Sequence, residues 1–151
     1  MFKIMMALHL LTAIFAIGPL VGAATTAARS LRTGDADGAA KSARTLRIYG
    51  IASILVVIFG FGLMSAKAPW GTDGEHVAEF NELWIWLSVA LWVVAVALVL
   101  GVTVPGLEKA SSVIKEGGSV DSLKAKVAAS GGITGLIFAG IVFLMVYQPG
   151  K

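Results

Sequence analysis

Four uninterrupted apolar runs, separated by loops of alternating charge, dominate this chain. They cover residues 4–24, 48–66, 83–104 and 130–147, and none of them contains an Asp, Glu, Lys or Arg. Each is about 18 to 22 residues long, which at 1.5 Å per residue spans the hydrocarbon core of a bilayer. Inside a bilayer the backbone must satisfy its own hydrogen bonds, and runs of this length do so as α-helices. The expected fold class is therefore all-α, a four-transmembrane-helix bundle in one domain over residues 1–151. A water-soluble reading fails on composition as well. Of the 151 residues 57% are apolar and 14% charged, and the charges lie between the runs.

The loops set the expected topology. The first carries Arg29, Arg32, Lys41, Arg44 and Arg47 against Asp35 and Asp37, and the third carries Lys109, Lys115, Lys124 and Lys126 against Glu108, Glu116 and Asp121. The second is acidic, with Asp73, Glu75, Glu79 and Glu82 against Lys67. The positive-inside rule puts loops one and three in the cytoplasm, and loop two and both termini outside. Trp70, Trp84, Trp86 and Tyr147 fall at the outer boundary, where amphipathic rings prefer to sit, with Tyr49 and Arg47 at the inner one. Lys3 ahead of an apolar run resembles a secretory signal. The run is longer than a signal core and leads into further spans, so it is read as a retained first helix.

Composition also removes function classes. There is no cysteine, which excludes disulfides, thiolate metal sites and iron–sulfur clusters. The net charge of +3 is divided among loops, so it reads as a topology signal and gives no nucleic-acid-binding patch. No phosphate loop, His-Glu-x-x-His or nucleophile elbow occurs. No span holds a carboxylate, which argues against an ion pump or a proton-coupled transporter. Asp35-Ala36-Asp37 lacks the ligand count for calcium and reads as a turn that breaks the first loop into two short helical pieces.

Helices in lipid associate by close backbone approach. Gly18 and Gly22 form a small-xxx-small pair in the first span, and Gly131 and Gly135 form another in the fourth, so all four are candidate helix-packing residues. Gly60 and Gly62 read as loosening the second span. Pro19 is expected to kink the first, and Pro105-Gly106 to end or bend the third.

One ionisable side chain lies well inside a span. His9 falls about 8 Å below the outer boundary at helical rise. It stands on a stripe with Thr12, Ala13, Ala16 and Ala23, a small-residue face that usually looks into a bundle. Two readings compete for it. One is a hydrogen bond to a backbone carbonyl or an outer-loop carboxylate; the other is a ligand, proton relay or quinone contact. Met5, Met6, Met64 and Met145 share the outer half with His9 and His76. Imidazole and thioether suit copper and also serve as axial haem ligands, so His9, His76, Met5 and Met64 form the candidate metal set, with His9 the candidate cofactor ligand. His76 among Glu75, Glu79 and Glu82 more commonly means a solvated loop than a divalent-ion site. Trp92, near mid-span, reads as packing ahead of a flat-cofactor contact.

The stretch Leu8-His9-Leu10-Leu11 through Gly18-Pro19, followed by a basic loop, resembles a group of small predicted integral membrane proteins. That group is itself related to the copper-resistance CopD-like proteins and the HemJ-type membrane haem proteins. The resemblance is one of layout: a histidine early in the first span, four spans and a Trp-rich start to the third. It implies that His9 corresponds to the group's first-span histidine, a proposed haem ligand in the HemJ branch. The chain departs from that branch in having no second intramembrane histidine and no lysine in the third span. Its Ala- and Gly-rich composition is similar to that of high-GC bacteria, which implies a bacterial cytoplasmic membrane. Two functional expectations follow. One is a non-catalytic accessory subunit of a larger respiratory or cell-envelope complex, without a cofactor. The alternative is a haem- or copper-binding membrane protein that uses His9.

Overall fold

The computed structural model of the protein describes residues 1–67 and 76–149. Four long helices run through it: α1 Phe2–Arg32, α2 Ala36–Met64, α3 Leu83–Lys115 and α4 Asp121–Tyr147. All four are long and apolar enough to cross a membrane. The all-α, four-span expectation is met. Trp70, Asp73, Glu75 and Lys151 lie outside the described residues.

The helices are longer than the apolar runs, and the excess lies at the basic end. The segment read as the first loop is almost wholly helical, and its two helical pieces are continuations of α1 and α2. Only a short turn parts them, built on Gly34 at φ 66°, a left-handed conformation that costs glycine nothing. Asp35 caps α2 by accepting from the Gly38 N–H at 2.8 Å. Asp37 lies 3.6 Å from Lys115, so of the two aspartates of the Asp-x-Asp motif one caps α2 and the other faces the end of α3. At the matching turn between α3 and α4, Gly117 takes φ 75°. Asp121 starts α4, where hydrogen bonds from Lys124 and then Ser119 hold its carboxyl below the usual range.

α1 and α3 share a device. Each contains a five-residue π-helical segment, Ala13–Ile17 and Val99–Thr103, two residues ahead of a proline, Pro19 and Pro105. A proline offers no N–H to the carbonyl four residues back, and a wide turn absorbs that mismatch without breaking the helix. The Gly18 N–H bonds Ala13 O and the Val104 N–H bonds Val99 O, both in the i→i+5 pattern. Pro105 therefore does not end α3, which runs on to Lys115. The two hairpins, α1–α2 and α3–α4, are used alike although their sequences show no repeat.

Packing differs along the bundle. At the basic end the four helices form a closed ring, α1 against α2 and α4, and α3 against α2 and α4. Its core includes Leu20, Leu31, Leu46, Val99, Leu107 and Val127, all fully buried. Small residues allow the close approach: an added Cβ on Gly131 would sit inside the contact radius of the Ala24 carbonyl oxygen and 2.9 Å from its carbonyl carbon. Gly135 lies against Thr25 and Val21. An added Cβ on Gly18 or Gly22 meets nothing within 4 Å, so these two are open positions within this chain. Buried hydroxyls add interhelical bonds, Thr103 to Ser130 at 2.9 Å and Ser111 to the Ala36 carbonyl at 2.8 Å. No buried side-chain polar atom among the described residues lacks a partner.

At the acidic end the main contacts are pairwise, α1 with α2 and α3 with α4. Phe2–Thr12 has no buried residue. A small cluster of Met64, Ala78, Trp84 and Ile85 closes this end under Phe61. Glu82 anchors it, accepting from the Glu79 N–H at 3.0 Å and from the Trp84 indole.

Candidate functional site

His9 sits in the pairwise half, on the face of α1 that meets α2. Its Nδ1 is 2.9 Å from the Val56 carbonyl oxygen. A carbonyl can only accept, so Nδ1 carries the proton, and in the neutral ring Nε2 is left with a free lone pair. The ring lies over Gly60: an added Cβ there would fall 3.2 Å from Cε1 and 3.4 Å from Nδ1. Met5, one turn earlier on α1, rests its sulfur on Gly62 in the same way, 3.2 Å from where a Cβ would stand. Gly60 and Gly62 are thus notches that receive His9 and Met5, where the sequence suggested only a loosened helix. A sequence signal for this existed. An antiparallel hairpin that turns at Gly34 brings together residues nearly equidistant from it, and His9 and Gly60 are such a pair.

Thr12, one turn below His9, donates to the Leu8 carbonyl at 2.7 Å and the His9 carbonyl at 3.0 Å. These bonds precede the first π segment and tie down backbone oxygens where the helix widens. Near mid-span the Trp92 Nε1–H donates to Ser53 Oγ at 3.0 Å, and Ser53 in turn donates to the Gly50 carbonyl at 2.6 Å. Trp92 thereby joins α3 to α2, in keeping with a packing role.

The remaining candidate ligands are dispersed. Met64 is buried beside Trp84 and Ile85, and His76 is exposed in an isolated bridge with Lys67. Of the candidate set only His9 and Met5 share a face. Among the described residues no group of three or more His, Asp or Glu side chains is placed to hold a metal ion. The donor set is one imidazole with a free Nε2 and one thioether already packed on Gly62. That fits a single axial position and does not by itself complete a haem or copper site.

The chain matches, over residues 3–149, the model of a family described as predicted integral membrane protein (DUF2269). The chain belongs to this family. The match supports a membrane protein family and does not reach the CopD-like or HemJ-type proteins. No curated protein and no solved structure gives a significant match.

Proposed function

We propose that this chain is a non-catalytic subunit of a larger bacterial membrane assembly and docks through the acidic-end half of α1. The observation that carries the reading is the absence of any buried residue in Phe2–Thr12, where the acidic-end halves of α2, α3 and α4 bury Val56 and Met64, Trp84 and Ile85, and Phe138 and Ile141. Ile4, Leu10, Leu11, Ile14 and Phe15 are 49–68% exposed. Lipid accepts such a surface, but so does another helix. A half-helix tied to its own chain mainly by one histidine hydrogen bond and two glycine notches is well suited to a second partner. In this reading the basic turns face the cytoplasm.

The test is site-specific photocrosslinking in cells, with the probe at Ile14 or Phe15 and, for comparison, at Leu136, which is 76% exposed on α4. A discrete adduct with one membrane polypeptide from the α1 positions and none from Leu136 is expected. Lipid adducts alone from all three positions overturn the reading.

The state of His9 favours a second reading, as a haem- or copper-binding protein. Ligating histidines commonly donate their other ring N–H to a carbonyl, as Nδ1 does here to Val56. The missing ligand would then come from a partner chain. A Soret band or stoichiometric copper in protein purified in mild detergent, lost in His9→Ala, supports this reading. A colourless, metal-free preparation in which the partner is retained removes it.

A further inference from the structure

At the basic end α1 and α4 enclose a cleft of about 540 Å³. One wall carries Thr25, Thr26, Arg29 and Arg32, and the other is low, formed by Ala128 and Gly132. We propose that this cleft binds the phosphodiester headgroup of an anionic phospholipid, with Arg29 and Arg32 as its phosphate ligands.

Four observations carry this. The first is level. The apolar run of α1 ends at Ala24 and that of α4 begins at Ser130, so the cleft begins just past the boundary on α1, at Thr25, and straddles it on α4, between Ala128 and Gly132. Headgroup phosphates lie at that depth. The second is charge. Arg29 and Arg32 are three apart on one helical face, and neither guanidinium has an ion-pair or hydrogen-bond partner among the described residues. Three other cations of the basic end are engaged: Arg47 with Glu108, Lys115 with Asp37 and Lys124 with Asp121. No acidic residue lines the cleft. Two guanidinium groups on one side suit a phosphodiester, which accepts paired N–H donors.

The third is shape. One residue from the cleft, Gly131 holds the α4 backbone against Ala24, which fixes one edge of the cleft rigidly. Gly132 itself is exposed, and an added Cβ there meets nothing within 4 Å, so the low wall is open to a ligand. The fourth is hydroxyl chemistry. Thr25 donates to the Val21 carbonyl at 2.8 Å and Thr26 to the Gly22 carbonyl at 2.7 Å. Their protons are committed to their own helix, so both oxygens are left as acceptors. A headgroup with its own donors, such as the glycerol hydroxyls of phosphatidylglycerol, matches them beyond the phosphate.

The test is lipid titration of the purified full chain in neutral detergent, read by native mass spectrometry, with phosphatidylglycerol, phosphatidylcholine, inorganic phosphate and the water-soluble glycerophosphoglycerol headgroup. Phosphatidylglycerol is expected to bind selectively. Arg29→Gln/Arg32→Gln is expected to weaken it about thirty-fold, at roughly tenfold or less per arginine. Gly132→Leu, which fills the cleft without altering charge, should also weaken it, while Lys41→Gln/Arg44→Gln, charge-matched on α2, should retain it. Circular dichroism checks that each variant keeps its helix content. Equal binding of phosphatidylcholine overturns the proposal. So does an equal loss in the Lys41→Gln/Arg44→Gln variant, because net charge then suffices. Saturation by inorganic phosphate or the free headgroup at the same concentration assigns the cleft to soluble anions and overturns the lipid source.

Discussion

The basic and acidic halves of the bundle use the same four helices and hold them by different means. At the basic end backbone meets backbone at Gly131 and Ala24, buried hydroxyls bridge α3 to α2 and α4, and every helix touches two neighbours. At the acidic end helices meet in pairs, and α1 is held by the His9 hydrogen bond and two glycine notches. The change coincides with the π segments of α1 and α3, each set just before its proline. Where lipid removes the water-driven force, tight packing depends on small residues at contact positions. In this chain they bring backbone to backbone at the basic end, Gly131 on Ala24, whereas at the acidic end Gly60 and Gly62 receive side chains. The basic half is thus a rigid base, and the acidic half of α1 is the part free to take on another role.

The largest effect should come from breaking the base. Gly131→Val places methyl groups where the Ala24 carbonyl already stands, and the cost is expected to reach about 2 to 3 kcal/mol. Thermal unfolding in mild detergent, followed by circular dichroism, should show the lowest midpoint of any variant considered. Gly22→Val is the contrast. The two glycines look equivalent in sequence, yet the second has open space around it, and its midpoint should stay near that of the unaltered protein. Equal damage from both substitutions would mean that the α1–α4 contact is not the point of closest approach.

A smaller effect sharpens the other half. His9→Ala removes one interhelical hydrogen bond, worth about 0.5 to 1.5 kcal/mol in a membrane bundle. Gly60→Val should displace the imidazole and cost a similar amount. Because both act through one contact, the double variant should lose clearly less than the two single losses combined. Additive losses would separate His9 from Gly60 and leave the histidine's orientation to some other partner.

How much of this was legible beforehand follows from which forces act locally. The four helices could be read because charge exclusion over a bilayer's thickness is a property of contiguous sequence. Gly131 and Gly135 were legible as a packing pair, but the same pattern at Gly18 and Gly22 has no close neighbour in this chain. Spacing reports that a face is smooth and not what lies against it. At the acidic end, His9 could be placed inside a span, and of its two expected hydrogen-bond partners the structure supplies the backbone carbonyl. Its seat on Gly60 depends on hairpin register, which is set by the Gly34 turn. The π segments were hidden because a proline in a helix predicts a bend or an end equally well. Which outcome occurs depends on whether the freed carbonyls find donors further along, and neighbouring helices influence that.

The smallest expected effect concerns the charged rim of the base. Arg47 on α2 donates to Glu108 on α3 at 2.7 Å, and both side chains are about half exposed. An exposed pair gains little from Coulomb attraction in a high-dielectric setting, and ordering two long side chains offsets part of it. Arg47→Gln should therefore cost less than about 1 kcal/mol, far below Gly131→Val. Added salt should shrink the difference from the unaltered protein, because the attraction it removes is screened. A larger and salt-insensitive loss would mean that the pair is sheltered in the bilayer, either by headgroups or by a partner covering the basic end. The ring would then owe part of its rigidity to charge as well as to the approach of small residues.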